Sequence, residues 1–308
     1  MRNNVPLLFS GSSHPALSQA VAHLLEIPLA SVALYRFPDG ETSVEVLEEV
    51  YRRDVFVVQS IVIDPNNYLV ELLLLVDALK RGSARTITAI IPYFGYCRQD
   101  RRDREGKSIS AKMIANLLAT AGIQRLITCD LHTGQIEGFF EIPVDHLSCQ
   151  PLFVEAVSSR FATPPLVLAP DIGSIKRGEK IARALQTDLV VVEKRRLSEQ
   201  KIEMQLIGSV EGRELLIVDD ICSTGTTLLS ALSLCIEQGA RSIIAAVTHL
   251  LTGEAAAQAI SASPLTTFLT TDTVPLQQAS PPYGRPPFVF LSVAPLIAAR
   301  ISRLVQAD

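Results

Sequence analysis

The sequence predicts an α/β protein of two domains, each a mostly parallel sheet flanked by helices. Three observations lead there. Short runs rich in β-branched residues and leucine alternate with longer amphipathic segments along the whole chain, the pattern of repeated βαβ units. The 308 residues exceed one ordinary core and suit two domains of about 150 residues each. Nearly every strand-like run ends in chemistry, as at Asp130-Leu131-His132, Asp171, Lys194-Arg195-Arg196 and Asp219-Asp220. The carboxyl ends of parallel strands are where open α/β sheets bind ligands, so two domains are expected to present polar rims to a common cleft.

Strands are expected at 5-VPLLFSG, 54-DVFVVQS, 86-TITAIIPY and 125-RLITCDLH in the first half. In the second half they are expected at 165-PLVLAPD, 188-DLVVVEK, 214-ELLIVDD, 242-SIIAAVTH and 267-TFLTTD. Helices fit between them: 15-PALSQAVAHLLE opens on a proline, 67-NYLVELLLLVDALKRG ends on Gly82, and 226-TTLLSALSLCIEQGA closes at Gly239. In 111-AKMIANLLATAG, Met113, Ile114, Leu117 and Leu118 share one face and are expected in the core. The halves carry no letter-level repeat, and the boundary is placed between 148 and 149, shortly before Pro164-Pro165. The stretch 281-PPYGRPPF reads as a surface loop, and a last helix from about 295 is expected to pack back on the first domain.

Composition narrows the function. Lys and Arg total 28 against 32 acids, a net charge of −4, which is too balanced for a nucleic-acid partner. Five scattered cysteines with no C-x-x-C pair indicate a reducing compartment rather than a disulfide framework or a zinc knuckle. The richest apolar run, 68-YLVELLLLVDAL-79, is broken by Glu71 and Asp77 and is shorter than a membrane span of roughly 20 residues. No signal peptide is legible in MRNNVPLLFSG. A cytoplasmic protein without a membrane partner is expected.

The chemistry concentrates in 215-LLIVDDICSTGTTLL-229, where a buried strand meets two adjacent carboxylates and then a run of small hydroxyl and glycine residues. An anion after this strand would face unpaired backbone N–H groups, the positive end of a helix dipole and several hydroxyls. The lysine of the Walker loop is absent, and no G-x-G-x-x-G occurs, so neither a P-loop nor a dinucleotide fold is indicated. Carboxylates beside a phosphate cradle can accept hydrogen bonds from a vicinal diol, so a sugar phosphate fits both parts. The competing explanation is that Asp220 or Ser223 merely caps the following helix.

The stretch VDDICSTGTT resembles the ribose 5-phosphate-binding motif shared by phosphoribosyltransferases and ribose-phosphate pyrophosphokinases. Four further segments, 37-FPDGE-41, 92-PYFGYCRQDRRD-103, 130-DLHTGQIEGFF-140 and 191-VVEKRR-196, resemble pyrophosphokinase motifs and would be unexplained in a simple transferase. The resemblance implies two phosphoribosyltransferase-type domains and transfer of the diphosphoryl group of Mg-ATP to the C1 hydroxyl of ribose 5-phosphate. It implies that Arg98, Gln99, Asp100, Arg101 and His132 hold ATP. It also implies that Phe37, Asp39 and Glu41 reach ATP on a neighbouring subunit of a homo-oligomer. His132 and Asp171 would lie near Mg2+, with Lys194, Arg196 and His132 catalytic. A flap over 197-LSEQKIEMQ-205 would follow the two cations. Asp219 and Asp220 would grip the ribose diol, and Ser223, Thr224, Gly225, Thr226 and Thr227 the 5-phosphate.

The chain departs from the family pattern at Ser223, where a third acid is common, at Thr226, where glycine is common, and at Ser174, where a glycine pair is usual. Thr226 matters most, because glycine often marks a backbone that approaches its ligand closely or has positive φ. Thr226 and Ser174 motivate an alternative, a non-catalytic regulatory homologue that associates with an active synthetase; Ser223 alone does not suggest an inactive protein. Retention of His132, Lys194 and Arg196 favours the enzyme.

Overall fold

The computed structural model describes residues 5–161, 163–196, 202–275 and 288–306. Two compact units emerge, one of residues 1–148, 273–275 and 292–308 and the other of residues 149–272 and 276–291.

In the first unit the elements run β1 (Leu7–Ser10), α1 (Pro15–Leu24), β2 (Val32–Arg36), β3 (Thr42–Val46), β4 (Asp54–Val58), α2 (Pro65–Arg81), β5 (Thr86–Ile91), α3 (Ser110–Ala121), β6 (Arg125–Cys129) and β7 (Val144–Leu147). Five strands pair in the order β1-β4-β5-β6-β7, every pair parallel, while β2 and β3 form a separate antiparallel hairpin. The central β4 reads Asp-Val-Phe-Val-Val and is buried throughout, as a strand covered on both faces must be. Pro65 opens α2 two residues before the expected start, because proline at the first helical position loses no intrahelical bond. Helix α3 differs from expectation. Ile114 and Leu118 are buried, but Met113 and Leu117 are 52% and 41% exposed, so the apolar face is wider than the sheet can cover.

Glu71 interrupts an apolar run for a reason the sequence hid. Buried on α2, its carboxylate accepts from Ser12 N at 2.7 Å, Ser12 Oγ at 2.6 Å and Gln59 Nε2 at 2.7 Å, so the charge is fully hydrogen-bonded. Gly11 makes room for this network, since a Cβ there would stand 2.2 Å from Gln59 Oε1.

The second unit contains α4 (Gln150–Ser158), β8 (Leu166–Ala169), α5 (Ile175–Leu185), β9 (Leu189–Arg196), β10 (Ile202–Ile207), β11 (Glu214–Cys222), α6 (Thr226–Glu237), β12 (Ser242–Leu250), α7 (Glu254–Ser261), β13 (Thr267–Thr271) and β14 (Phe288–Leu291). Its seven strands pair in the order β10-β9-β8-β11-β12-β13-β14, all parallel except the β9–β10 pair. One sheet face supplies Leu168, Val190, Leu215, Ile217, Ile243 and Phe268 to the core. Against it α6 packs Leu228, Ala231, Leu232 and Cys235, a spacing of three and four residues that lines one side of a helix. Each such fully buried Leu, Ile or Phe contributes about 1.5–3 kcal/mol.

All nine strand-like runs become strands, with shifted ends. Residues 202–205, expected in a flap, belong to β10, because backbone pairing with β9 satisfies their polar groups. Residues 197–201 of that segment and the loop 281–287 lie outside the described residues. The last helix, α8 (Ala294–Gln306), packs on α1 within the first unit, burying Ile297, Ala298 and Ile301.

Candidate active site

Strand β11 passes to α6 through Ser223-Thr224-Gly225, and the turn is sharp because Gly225 takes φ +73° and ψ −7°, a left-handed conformation natural to glycine. Gly225 is the N-cap, and the amide of Thr226, the first helical residue, lies 3.5 Å from Thr224 Oγ1. The start of α6 presents the positive field that favours an anion. Thr224 and Thr226 stand exposed with hydroxyls 3.1 Å apart, adding donors at the rim. One ground for doubting Thr226 falls away. Positive φ belongs to Gly225, and Thr226 is the first residue of the helix.

The twin acids lie within β11 rather than at its end, since pairing with β12 continues through Cys222. Asp220 is buried, and the Asp219 side chain is 18% exposed. Two neighbouring carboxylates so placed need a cation, and it comes from α5. Arg177 Nη1 lies 3.3 Å from Asp220 Oδ1 and 3.7 Å from Asp219 Oδ1. Ser174, buried just before α5, places its hydroxyl 3.0 Å from Asp219 Oδ1 and 3.1 Å from Asp171 Oδ1. With one hydrogen to give, it satisfies one carboxylate at a time and neutralises neither. Burial, then the Asp220 carboxylate beside it, push the Asp219 carboxyl up to about 7 despite Arg177.

Asp171 also accepts from Ser174 N at 3.1 Å, so it caps the short 3₁₀ turn Ile172–Ser174 while facing the other two acids across the serine. Sequence reasoning missed both Arg177 and the use of Ser174. The signal available was a basic residue a few positions beyond a polar strand end, at the start of the following helix. Cys222, between the acids and the phosphate turn, is buried, and its thiol is pushed up to about 12 by burial and the nearby Asp219. It is an unreactive filler.

Lys194 and Arg196 end β9, paired across the ladder with Met204 and Ile202 of β10. Their side chains lie outside the described part of the structure. Strand order nevertheless groups their backbone with the acids, because β9, β8 and β11 are parallel neighbours whose carboxyl ends lead to Lys194, Asp171 and Asp219.

In the first unit the loop after β5 carries Arg98, Gln99 and Arg101 exposed and Asp100 half-buried. Gln99 anchors the start of α3, its Oε1 accepting from Ser110 Oγ at 2.6 Å. Asp100 Oδ2 accepts from Thr133 Oγ1 at 2.8 Å, which ties this loop to the turn after β6 where His132 sits half-buried. Close packing underlies the loop, for a Cβ on Gly95 would stand 2.5 Å from both Ile61 Cγ2 and the Ile61 carbonyl oxygen. Phe37, Asp39 and Glu41 stand elsewhere, all exposed on the turn of the β2–β3 hairpin. That turn is held by Phe37 N donating to Glu41 O at 2.7 Å and Glu41 N to Asp39 Oδ1 at 3.1 Å, with Tyr35 edge-on to Phe37 at 5.1 Å.

Residues 6–122 match the model of the N-terminal domain of ribose phosphate pyrophosphokinase, and residues 148–279 match the phosphoribosyl transferase domain. A ribose-phosphate pyrophosphokinase of Ralstonia nicotianae is 43% identical over 304 residues, covering 98% of this chain and 96% of the relative. The chain belongs to the ribose-phosphate pyrophosphokinase family. A second member, from Burkholderia pseudomallei, is 44% identical over 98% of this chain and 95% of its own length. Among solved structures of the family, the phosphoribosylpyrophosphate synthetase of Mycobacterium smegmatis superposes with a TM-score of 0.93 at 36% identity, covering 98% of this chain and 99% of that one.

Proposed function

We propose that the chain transfers the diphosphoryl group of Mg-ATP to the C1 hydroxyl of ribose 5-phosphate, yielding 5-phosphoribosyl 1-pyrophosphate and AMP, a step in nucleotide biosynthesis. The observation that carries this is the glycine turn into the start of α6 beside a buried acid pair, in a chain that matches the pyrophosphokinases over both domains. The 5-phosphate accepts from the amides of the α6 start and the hydroxyls of Ser223, Thr224, Thr226 and Thr227, while Gly225 lets the backbone approach. Asp219 and Asp220 accept from the 2- and 3-hydroxyls, which fixes the ring and aims the C1 oxygen.

That oxygen attacks the β-phosphorus, its proton leaves, and the bond from the β-phosphorus to the AMP oxygen breaks. Protein groups act by positioning and by neutralising phosphoryl charge. Arg98, Gln99, Asp100, Arg101 and His132 hold the triphosphate, and Lys194 and Arg196 stabilise the group in flight. Among the described residues no cluster of three or more His, Cys, Asp or Glu could hold a metal alone. Such a donor set fits Mg2+, which takes one or two protein oxygens and completes its shell from phosphates and water. In the first unit His132 would stand near a divalent metal, and in the second unit Asp171 would be a second metal-associated acid. When bound, the ion neutralises charge on the β- and γ-phosphate oxygens.

Phe37, Asp39 and Glu41 serve the nucleotide of a neighbouring subunit, so the working form is a homo-oligomer. The uncovered Met113 and Leu117 of α3, with Val70 and Leu74 exposed on α2, supply apolar surface for it. Sedimentation as a monomer at assay concentrations would remove that assembly. No described helix is long and apolar enough to cross a membrane, and all five cysteines are free.

Purified protein mixed with Mg-ATP and ribose 5-phosphate is expected to release AMP in step with sugar consumption. No AMP above a sugar-free control overturns the assignment and leaves the regulatory homologue. A pH dependence follows from Asp219. Its ionised form is the better acceptor, and it is lost as pH falls through about 7, so KM for ribose 5-phosphate is expected to rise about tenfold from pH 8 to pH 6. In Asp219→Asn the slope is expected to flatten to that of the substrate phosphate alone.

A further inference from the structure

We infer that His146 is a positioning residue for the turn that carries His132, acting through a hydrogen bond to the Leu131 amide with its tautomer set by Glu137. His146 lies on β7, in register beside Thr128 of β6. Its Nε2 stands 2.9 Å from Leu131 N, and since a backbone amide can only donate, Nε2 is the unprotonated nitrogen. The ring hydrogen is then on Nδ1, 2.7 Å from Glu137 Oε1, which accepts it. Glu137 therefore does for His146 what an outer carboxylate does for a ligating histidine, holding both the tautomer and the orientation of the ring.

The turn needs such holding. Asp130 has φ +29°, a conformation non-glycine residues seldom adopt, and its amide donates to Leu147 O at 3.0 Å. Leu131 is buried, so its amide has little recourse to water. On the far side of His132, the Thr133 hydroxyl is bonded to Asp100. His132 is thus bracketed by His146 behind Leu131 and Asp100 beyond Thr133. The Asp100 contact joins two segments already assigned to ATP. The His146 contact comes from a strand with no such assignment, and the imidazole is spent on the turn rather than on substrate.

The catalytic consequence rests on the function proposed above, so the test has a readout that does not. In His146→Leu, hydrogen exchange at residues 130–134 is expected to accelerate in the unliganded protein. The value of kcat/KM for Mg-ATP is expected to fall about ten- to a hundredfold, with KM for ribose 5-phosphate within about twofold of the parent. His146→Gln places an acceptor where Nε2 stood and is expected to recover most of both losses. Glu137→Leu, which keeps the imidazole but frees its tautomer, is expected to give an intermediate loss, and it decides the question against His146→Gln if His146→Leu does not fold. Parental exchange and kcat/KM in His146→Leu, or glutamine behaving no better than leucine, would overturn the role. A parent protein that turns over no substrate would sink the function while leaving the exchange comparison to judge the positioning.

Discussion

Lys194→Ala is expected to lower kcat by about a hundred- to a thousandfold, the usual loss when one preorganised donor to developing charge is removed. ATP binding at equilibrium should weaken far less. On the proposed function, a cation near the end of β9 would meet the transferring group where charge redistributes, so its contact would strengthen in the transition state and its loss would fall on turnover. Strand order is compatible with this, because Lys194 lies on β9, two strands from Asp219 on β11 with β8 between them. Single-turnover rates beside equilibrium ATP titration make the comparison. Equal turnover in variant and parent would take Lys194 out of the chemistry, and a loss confined to ATP affinity would make it a binding residue only.

Arg177→Met is expected to destabilise the fold by about 3 kcal/mol at pH 8, as when one partner of a buried ion pair is removed. Arg177 is 15% exposed at its side chain and is the guanidinium placed against both Asp219 and Asp220. The cost should shrink toward pH 6. Asp219 has a folded-state value of about 7, above its ordinary 3.8, so the folded protein holds a proton there that the unfolded chain releases. Stability from that proton is present at low pH and declines as pH rises through about 7, and removing Arg177 raises the folded value further. Thermal melts of parent and variant at pH 6, 7 and 8 should diverge with rising pH. Parallel curves would show that Arg177 does not govern the acid pair.

Legibility in the sequence followed the range of the interactions. The strands were readable because apolar runs such as 54-DVFVV and 215-LLIV report burial residue by residue. Helix α3 was readable as a helix but not in how it is covered. Met113 and Leu117 have the same periodicity as Ile114 and Leu118, and only the placement of neighbouring elements separates exposed from buried. The antiparallel strand β10 had a local signal that was passed over: 202-IEMQL alternates apolar and polar residues as a half-buried strand does, and the expected flap across 197–205 displaced that reading. Thr226 looked doubtful against the family pattern, and the backbone angle at Gly225 removed the positive-φ ground for that doubt.

The sequence by itself determined the α/β class, the membership that five motifs spread along the chain imply, and the presence of two carboxylates before a turn of serine, threonine and glycine. These rest on residue type and short spacing, which chain connectivity preserves. The tertiary structure alone decided what meets those carboxylates, because Arg177 and Ser174 lie more than forty positions away and reach β11 only when α5 packs beside it. It likewise decided that His146 turns its ring toward the Leu131 amide, a contact that exists only because β6 and β7 are neighbours. Long-range contacts of single polar atoms leave no periodic trace in a chain, and they set the charge and aim of the groups that the motifs merely name.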